Sequence, residues 1–304
     1  MLCRDGVIQG EENPMAAQYS AGVMKVRVFA GAIFLILVFV QVWGTAEQTE
    51  TRIYNTVKEK LMKGEKVVGG TVATPDPDIY CAMANSGYDF LWIEMQHSPL
   101  SYQDVARMIW ACRDAPAIPF IRVPDASEGA IQKATDIGAL GIIVPMVFDA
   151  EKMEQAVQFA KFPPAGRRSQ GGGQYGALWG RDYRATFNDN VVIVAMIEAP
   201  VGPAEAAAIA SVPGVDVVFA ASSDIRSFSG HNQGEPEYEE IITYLKDETL
   251  GAGRKLGGPQ AWMDREGFSF FQGSSTTALI RLGARTSLEN APTGVAPIEG
   301  APAR

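Results

Sequence analysis

The sequence predicts an α/β fold, a single (β/α)8 (TIM) barrel, on three observations. Eight short β-rich runs alternate with amphipathic helical segments. Several of those runs are continuously apolar, residues 191–197 being the longest, as strands buried on both faces must be. Once an N-terminal leader is set aside, the remaining length is that of one barrel. An open doubly wound sheet is the alternative, but no Gly-x-Gly-x-x-Gly follows the first strand.

The leader comes first in chain order. Met24-Lys25-Val26-Arg27 is basic, Val28 to Trp43 is an uncharged run of 16 residues, and Gly44-Thr45-Ala46 is small. That order is a secretory signal peptide, and the run is shorter than the roughly 20 residues that span a bilayer. Cleavage after Ala46 takes 46 of the 304 residues and leaves 258. The expected layout is a leader and signal over 1–46, a barrel over 47–288 and a disordered tail over 289–304, rich in Pro, Gly and Ala. The mature chain is then exported, periplasmic or secreted, or membrane-anchored if the signal is retained.

Residues 51–64 have helical spacing and end at Gly64. The expected strands are 67–73, 90–95, 118–123, 141–147, 191–198, 215–220, 255–259 and 277–282, with helices over 77–86, 101–113, 127–137, 149–160, 202–211, 236–252 and 264–271. After the eighth strand little room is left for a full final helix. Residues 163–190 form an unusually long connection containing Pro163-Pro164, Arg167-Arg168 and three glycines at 171–173. The glycines lack the Lys-Ser/Thr of a phosphate loop, and the paired arginines read as a solvated turn.

Composition narrows the function. With 47% hydrophobic and 20% charged residues the chain can bury a large core. Its 26 basic and 35 acidic residues give −9, which argues against a nucleic-acid partner. Only His97 and His231 are present, which argues strongly against a zinc site of several imidazoles. Cys81 and Cys112 both fall on expected helices and read as buried free thiols, a bridge being the alternative.

In a barrel, chemistry collects at strand C-termini. There the sequence places Glu94-Met95-Gln96-His97 after strand two, Arg122 at the end of strand three, Glu198 at the end of strand five and Ser222-Ser223-Asp224 after strand six. Two carboxylates with few other ligands suit a hard octahedral cation such as Mg²⁺ or Mn²⁺. The competing readings are an ion pair of Glu198 with Arg122 and a helix N-cap for Asp224. His97 is a general-base candidate. His231 lies in a loop. Lys66 and Lys255 stand at strand starts, which counts against Schiff-base chemistry.

These residues resemble the HpcH/HpaI aldolase family, related to citrate lyase β subunits. The likeness rests on residues 87–100, on Ile121-Arg122-Val123-Pro124, on residues 134–139 and 144–147, on the Pro-Pro-x-Gly-x-Arg turn at 163–168, and on Ile197-Glu198 and Ser223-Asp224. The resemblance implies a metal-dependent class II pyruvate aldolase acting on a 2-oxo acid and an aldehyde. It implies Glu198 and Asp224 as ligands of Mg²⁺, Mn²⁺ or Co²⁺, Arg122 at the enolate oxygen and His97 as base. It also implies Asp136 of a neighbouring subunit orienting His97, backbone groups of Ala221, Ser222 and Ser223 at the substrate carboxylate, and a trimer or hexamer. The chain departs from the family pattern at Glu94 (commonly Asp), at Met95-Gln96 (commonly Gly-Glu) and at Met196 (often Gln). A citryl- or malyl-CoA-type lyase, or a periplasmic oxo-acid binder without turnover, are the alternative functions.

Overall fold

Polar caps and apolar runs partition the chain into regular elements. The computed structural model describes residues 51–290; the expected signal peptide, and the tail from 291 onward, lie outside the described residues. In order these are α1 (Thr56–Met62), β1 (Val67–Val72), α2 (Pro77–Ala84), β2 (Phe90–Glu94), α3 (Tyr102–Ala111), β3 (Ile118–Arg122), α4 (Glu128–Asp136), β4 (Gly141–Val144), α5 (Ala150–Ala160), α6 (Tyr175–Trp179) and α7 (Tyr183–Asn190). There follow β5 (Val192–Ile197), α8 (Pro203–Ser211), β6 (Val217–Ala220), α9 (Ser222–Ser229), α10 (Pro236–Gly251), β7 (Lys255–Pro259), a 3-10 turn at Gln260–Trp262, β8 (Phe268–Ser275) and α11 (Thr276–Glu289). Side-chain caps by Asp76, Ser101, Ser127, Asp149 and Ser275 start the helices after the strands, each satisfying amide donors that the first turn leaves free.

The eight strands are all parallel and close in chain order, with β8 pairing back onto β1. The predicted (β/α)8 barrel is therefore the fold. Strand alternation explains its interior. On β2 the inward residues are Phe90, Trp92 and Glu94; on β3, Ile118, Phe120 and Arg122; on β5, Val194, Met196 and Glu198. The lower layers are aromatic: Phe90 lies 4.7 Å from Phe120 and 4.6 Å from Phe270, and Trp92 lies 5.1 Å from Phe219, by ring centroids. Glycine makes room for these rings. A Cβ on Gly69 or Gly141 would come within 2.1 Å of the Phe90 or Phe120 ring respectively. The top layer is charged, and it forms the floor of the mouth.

Below the barrel, α1 is fastened by its cap. Asn55 accepts from the Val57 and Lys58 amides and donates to the carbonyls of Leu140 and Asn190. Lys58 pairs with Asp216 at 2.5 Å, and Asp216 also accepts from the Ile193 amide.

Three expectations are corrected. The eighth strand is Phe268–Ser275, where the sequence suggested a helix over 264–271, and residues 277–282 are helical. Pairing decides this: Phe270 stacks inside the barrel on Phe90 and opposes Val67 of β1, while Ser275 caps the helix that follows. The final helix is consequently a full 14 residues reaching Glu289, and it leaves Ile280 and Leu282 exposed. Second, Cys81 of α2 and Cys112 at the end of α3 are disulfide-bonded, with Cα atoms 5.4 Å apart. Neighbouring helices of a barrel lie side by side, which brings two cysteines 31 residues apart into bridging range. Third, the paired arginines of the 163–190 connection are not both solvated. Arg167 is exposed and pairs with Glu128, but Arg168 is buried (2% exposed) among Phe162, Tyr175, Tyr183 and Phe187.

Candidate active site

Each polar side chain at the mouth is set there by the end of a strand. Register pairs Glu94 of β2 with Arg122 of β3, and Ile197 of β5 with Ala220 of β6. Glu198 directly follows β5, and Asp224 sits in the first turn of α9, four residues after β6.

Arg122 is the hub. It is 5% exposed and donates from Nη1 to Glu94 Oε2 at 3.2 Å and from Nη2 to Glu198 Oε1 at 2.8 Å. The ion-pair reading of Glu198 is thus correct as far as it goes. Glu94 is saturated: Oε1 accepts from the Gln96 and His97 amides at 2.9 and 3.0 Å, and Oε2 also accepts from Trp92 Nε1 at 3.2 Å. One buried carboxylate therefore holds the guanidinium with one oxygen and shapes the His97 loop with the other. Sequence reasoning missed this role, although Glu94 shares the inward parity of Phe90 and Trp92. His97 itself is exposed, with no side-chain hydrogen bond among the described residues. Gln96 Oε1 is buried without a partner.

Glu198 is 2% exposed, and its Oε1 also accepts from the Met146 amide at 3.1 Å. Among the described residues, Oε2 of Glu198 and both oxygens of Asp224 take no hydrogen bond. Three carboxylates against the Arg122 guanidinium and the Lys152 ammonium leave the mouth net negative, and burying that excess uncompensated is costly. A divalent oxygen-loving cation suits that donor set. No three His, Cys, Asp or Glu side chains gather as a ligand set among the described residues, so such an ion would take two protein carboxylates and complete its shell from water and substrate. Beside Asp224, no side chain caps α9, so its first amides face the mouth free to meet an anion. These belong to Ser222 and Ser223, with Ala221 at the N-cap, and Tyr238 fixes the turn by donating to the Ser222 carbonyl at 3.1 Å.

A second cation at the mouth escaped the sequence reading. Lys152 of α5 reaches back to donate to the Met146 carbonyl at 2.8 Å. Burial pushes its ammonium pKa below the usual lysine value, against the pull of Asp149, Glu198 and Asp125. A signal was available: a lysine in the first turn of a helix opposes the helix dipole and calls for another reason to be there.

Asp136 is the one expected site residue that its own chain does not bring to the mouth. It ends α4, at the opposite end of the barrel, where Arg168 Nη2 donates to it at 2.7 Å and Gln132 at 3.1 Å. Gly173 packs against its backbone, a Cβ there falling 2.2 Å from the Asp136 carbonyl oxygen. His231 lies 3.7 Å from Glu235 in its loop, apart from the strand-end cluster.

Comparison with known proteins identifies the family. Residues 72–269 match the model of the HpcH/HpaI aldolase/citrate lyase family. The chain is 32% identical over 208 residues to a 2-keto-3-deoxy-L-rhamnonate aldolase of Salmonella paratyphi B, an alignment covering 67% of this chain and 78% of the relative. Its fold resembles an HpcH/HpaI family protein from Burkholderia cenocepacia J2315, with a TM-score of 0.71 and 27% identity over 77% of this chain and 98% of that one. It also resembles the citrate synthase SbnG, with a TM-score of 0.66 and 27% identity over 77% of this chain and 96% of that one. By sequence and by fold, the chain belongs to the HpcH/HpaI aldolase/citrate lyase family of carbon–carbon lyases that act on small molecules.

Proposed function

We propose that the protein is a metal-dependent aldolase that cleaves or forms 4-hydroxy-2-oxo acids by way of a pyruvate enolate. One observation carries this reading: Arg122 is clamped between Glu94 and Glu198 while Glu198 Oε2 and Asp224 remain unpartnered, among the described residues, at the same mouth. Glu198 and Asp224 would hold Mg²⁺, Mn²⁺ or Co²⁺. When bound there, the ion supplies Lewis-acid polarisation of the 2-oxo group.

The chain's own groups account for the rest. The free amides of Ser222 and Ser223 at the start of α9 receive the substrate carboxylate, while the Ala221 amide, bonded to the Ile197 carbonyl at 3.0 Å, anchors the turn. Arg122 keeps further N–H groups beyond its two ion pairs and places a fixed positive charge where the enolate oxygen develops. Because Glu94 and Glu198 hold the guanidinium in advance, no reorganisation is needed as charge builds. His97 takes the proton of the 4-hydroxyl in cleavage, through a water, and returns it in condensation. Asp136 would serve His97 only from a neighbouring copy, so this reading includes a homo-oligomer, a trimer or hexamer. The disulfide supports the export reading, since such bridges persist in oxidising compartments.

Gln96 and Met196 favour a second reading, a binder of oxo-acids without turnover. Met196 is buried on the same face of β5 as Glu198, and Gln96 leaves its oxygen unpaired. The test is proton exchange at the pyruvate methyl group in deuterated buffer, followed by NMR, with each metal and without. Metal-dependent exchange that Asp224→Ala abolishes supports the aldolase. Tight calorimetric binding of pyruvate with no exchange under any metal supports the binder.

A further inference from the structure

The geometry points to Lys152 as a positioning residue for Glu198, acting through the backbone of Met146; this rests on reading Glu198 as a metal ligand. Met146 follows β4 with φ at +52, and it is the non-glycine residue of positive φ among the described residues. An L side chain adopts that region at a cost, so something must hold it. Two hydrogen bonds do. The Met146 amide donates to Glu198 Oε1 at 3.1 Å, and the Met146 carbonyl accepts from Lys152 Nζ at 2.8 Å. The Met146 amide shares Oε1 with Arg122, which leaves Oε2 without a hydrogen bond among the described residues and available to an ion. Releasing the carbonyl frees Met146 to relax, and Glu198 loses one of the two donors that fix its rotamer.

Lysine is an unfavourable choice at this position on local grounds. It stands in the first turn of α5, at the positive end of the helix dipole, and burial opposes its charge. Asp149, Glu198 and Asp125 face it from α5's own cap, from the end of β5 and from the loop after β3, and they offset that burial. Its side-chain hydrogen bond goes to the Met146 carbonyl.

Positioning and simple charge make opposite predictions. A cation beside a cation site repels the incoming ion, so on charge alone Lys152→Met would tighten metal binding. If Lys152 positions Glu198, the same variant weakens it, by about tenfold as for other residues that orient metal ligands. Mn²⁺ titration of the full-length protein, read by electron paramagnetic resonance, decides the sign. Lys152→Arg, which keeps a donor, should recover most of the affinity. Met146→Gly removes the cost of positive φ, so adding Lys152→Met to it should change affinity little. That pair also answers the question if Lys152→Met alone does not fold. Unchanged or tighter Mn²⁺ binding by Lys152→Met, while Glu198→Gln loses binding, overturns the proposal and leaves the aldolase reading standing. If Lys152→Met weakens binding equally in the parent and in the Met146→Gly variant, the proposal is overturned as well. Unchanged binding by Glu198→Gln removes the metal reading itself, and this proposal with it.

Discussion

Replacing Cys81 and Cys112 together by serine opens a loop closed across 31 residues. Loop-closure entropy for that length is worth about 3.7 kcal/mol at 25 °C. The bridge joins α2 to α3, the helices flanking β2, so its loss loosens the outer layer without touching the strand pairing that carries Glu94. For a domain of this size that free energy corresponds to a melting temperature lower by about 7–15 °C. Differential scanning calorimetry measures it, with the oxidised protein compared with the double variant and with the protein under a phosphine reductant. Both should fall together, and activity well below the transition should persist. Thiol titration of residues 47–304 in denaturant supplies a count: no cysteine reacts if the bridge is present, and two react if it is absent. Two reactive thiols in residues 47–304 made under oxidising conditions, or a double variant melting with the parent, would refute the reasoning.

Gly141→Ala should cost about 1–3 kcal/mol in urea unfolding, because its Cβ meets the Phe120 ring at 2.1 Å and that ring is locked against Phe90 and Phe270. Gly172→Ala, with nothing within 4 Å, is the neutral control. Glu94→Gln should lower kcat by at least about tenfold with an unchanged circular dichroism spectrum, since an amide cannot accept from Arg122, Trp92 and two backbone amides at once. Arg265 donates to both oxygens of Glu239 and holds its carboxyl below the usual carboxylate range. That pair's stabilisation is therefore present above the unfolded-state pKa and is lost as pH falls through the lower folded value. Glu239→Gln should destabilise the protein by about 1 kcal/mol at pH 7, and melting curves of variant and parent should converge once Glu239 is protonated.

Seven of the eight strands were legible because barrel strands buried on both faces are written as apolar runs, as in residues 191–197. The eighth was not, because Phe-Ser-Phe-Phe-Gln-Gly-Ser-Ser is half polar, and what makes it a strand is Phe270 stacking on Phe90 across the barrel. Strand ends located Arg122, Glu198, Asp224 and His97, since a parallel barrel delivers every strand C-terminus to one mouth. The role of Glu94 and the position of Lys152 were hidden for different reasons. Glu94 acts through four hydrogen bonds that only the folded register creates. Lys152 reaches the site from a helix, so no strand-end rule finds it. The burial of Arg168 was likewise invisible, because the rings around it come from a connection with no periodicity.

The most direct measurement is the anomalous scattering of Mn²⁺ in crystals grown with oxalate, a mimic of the pyruvate enolate. The account predicts one ion at about 2.1 Å from Glu198 Oε2 and from an Asp224 oxygen, with oxalate completing its shell beside Arg122. An ion bound away from both carboxylates, or oxalate seated at the mouth with no ion, would contradict it.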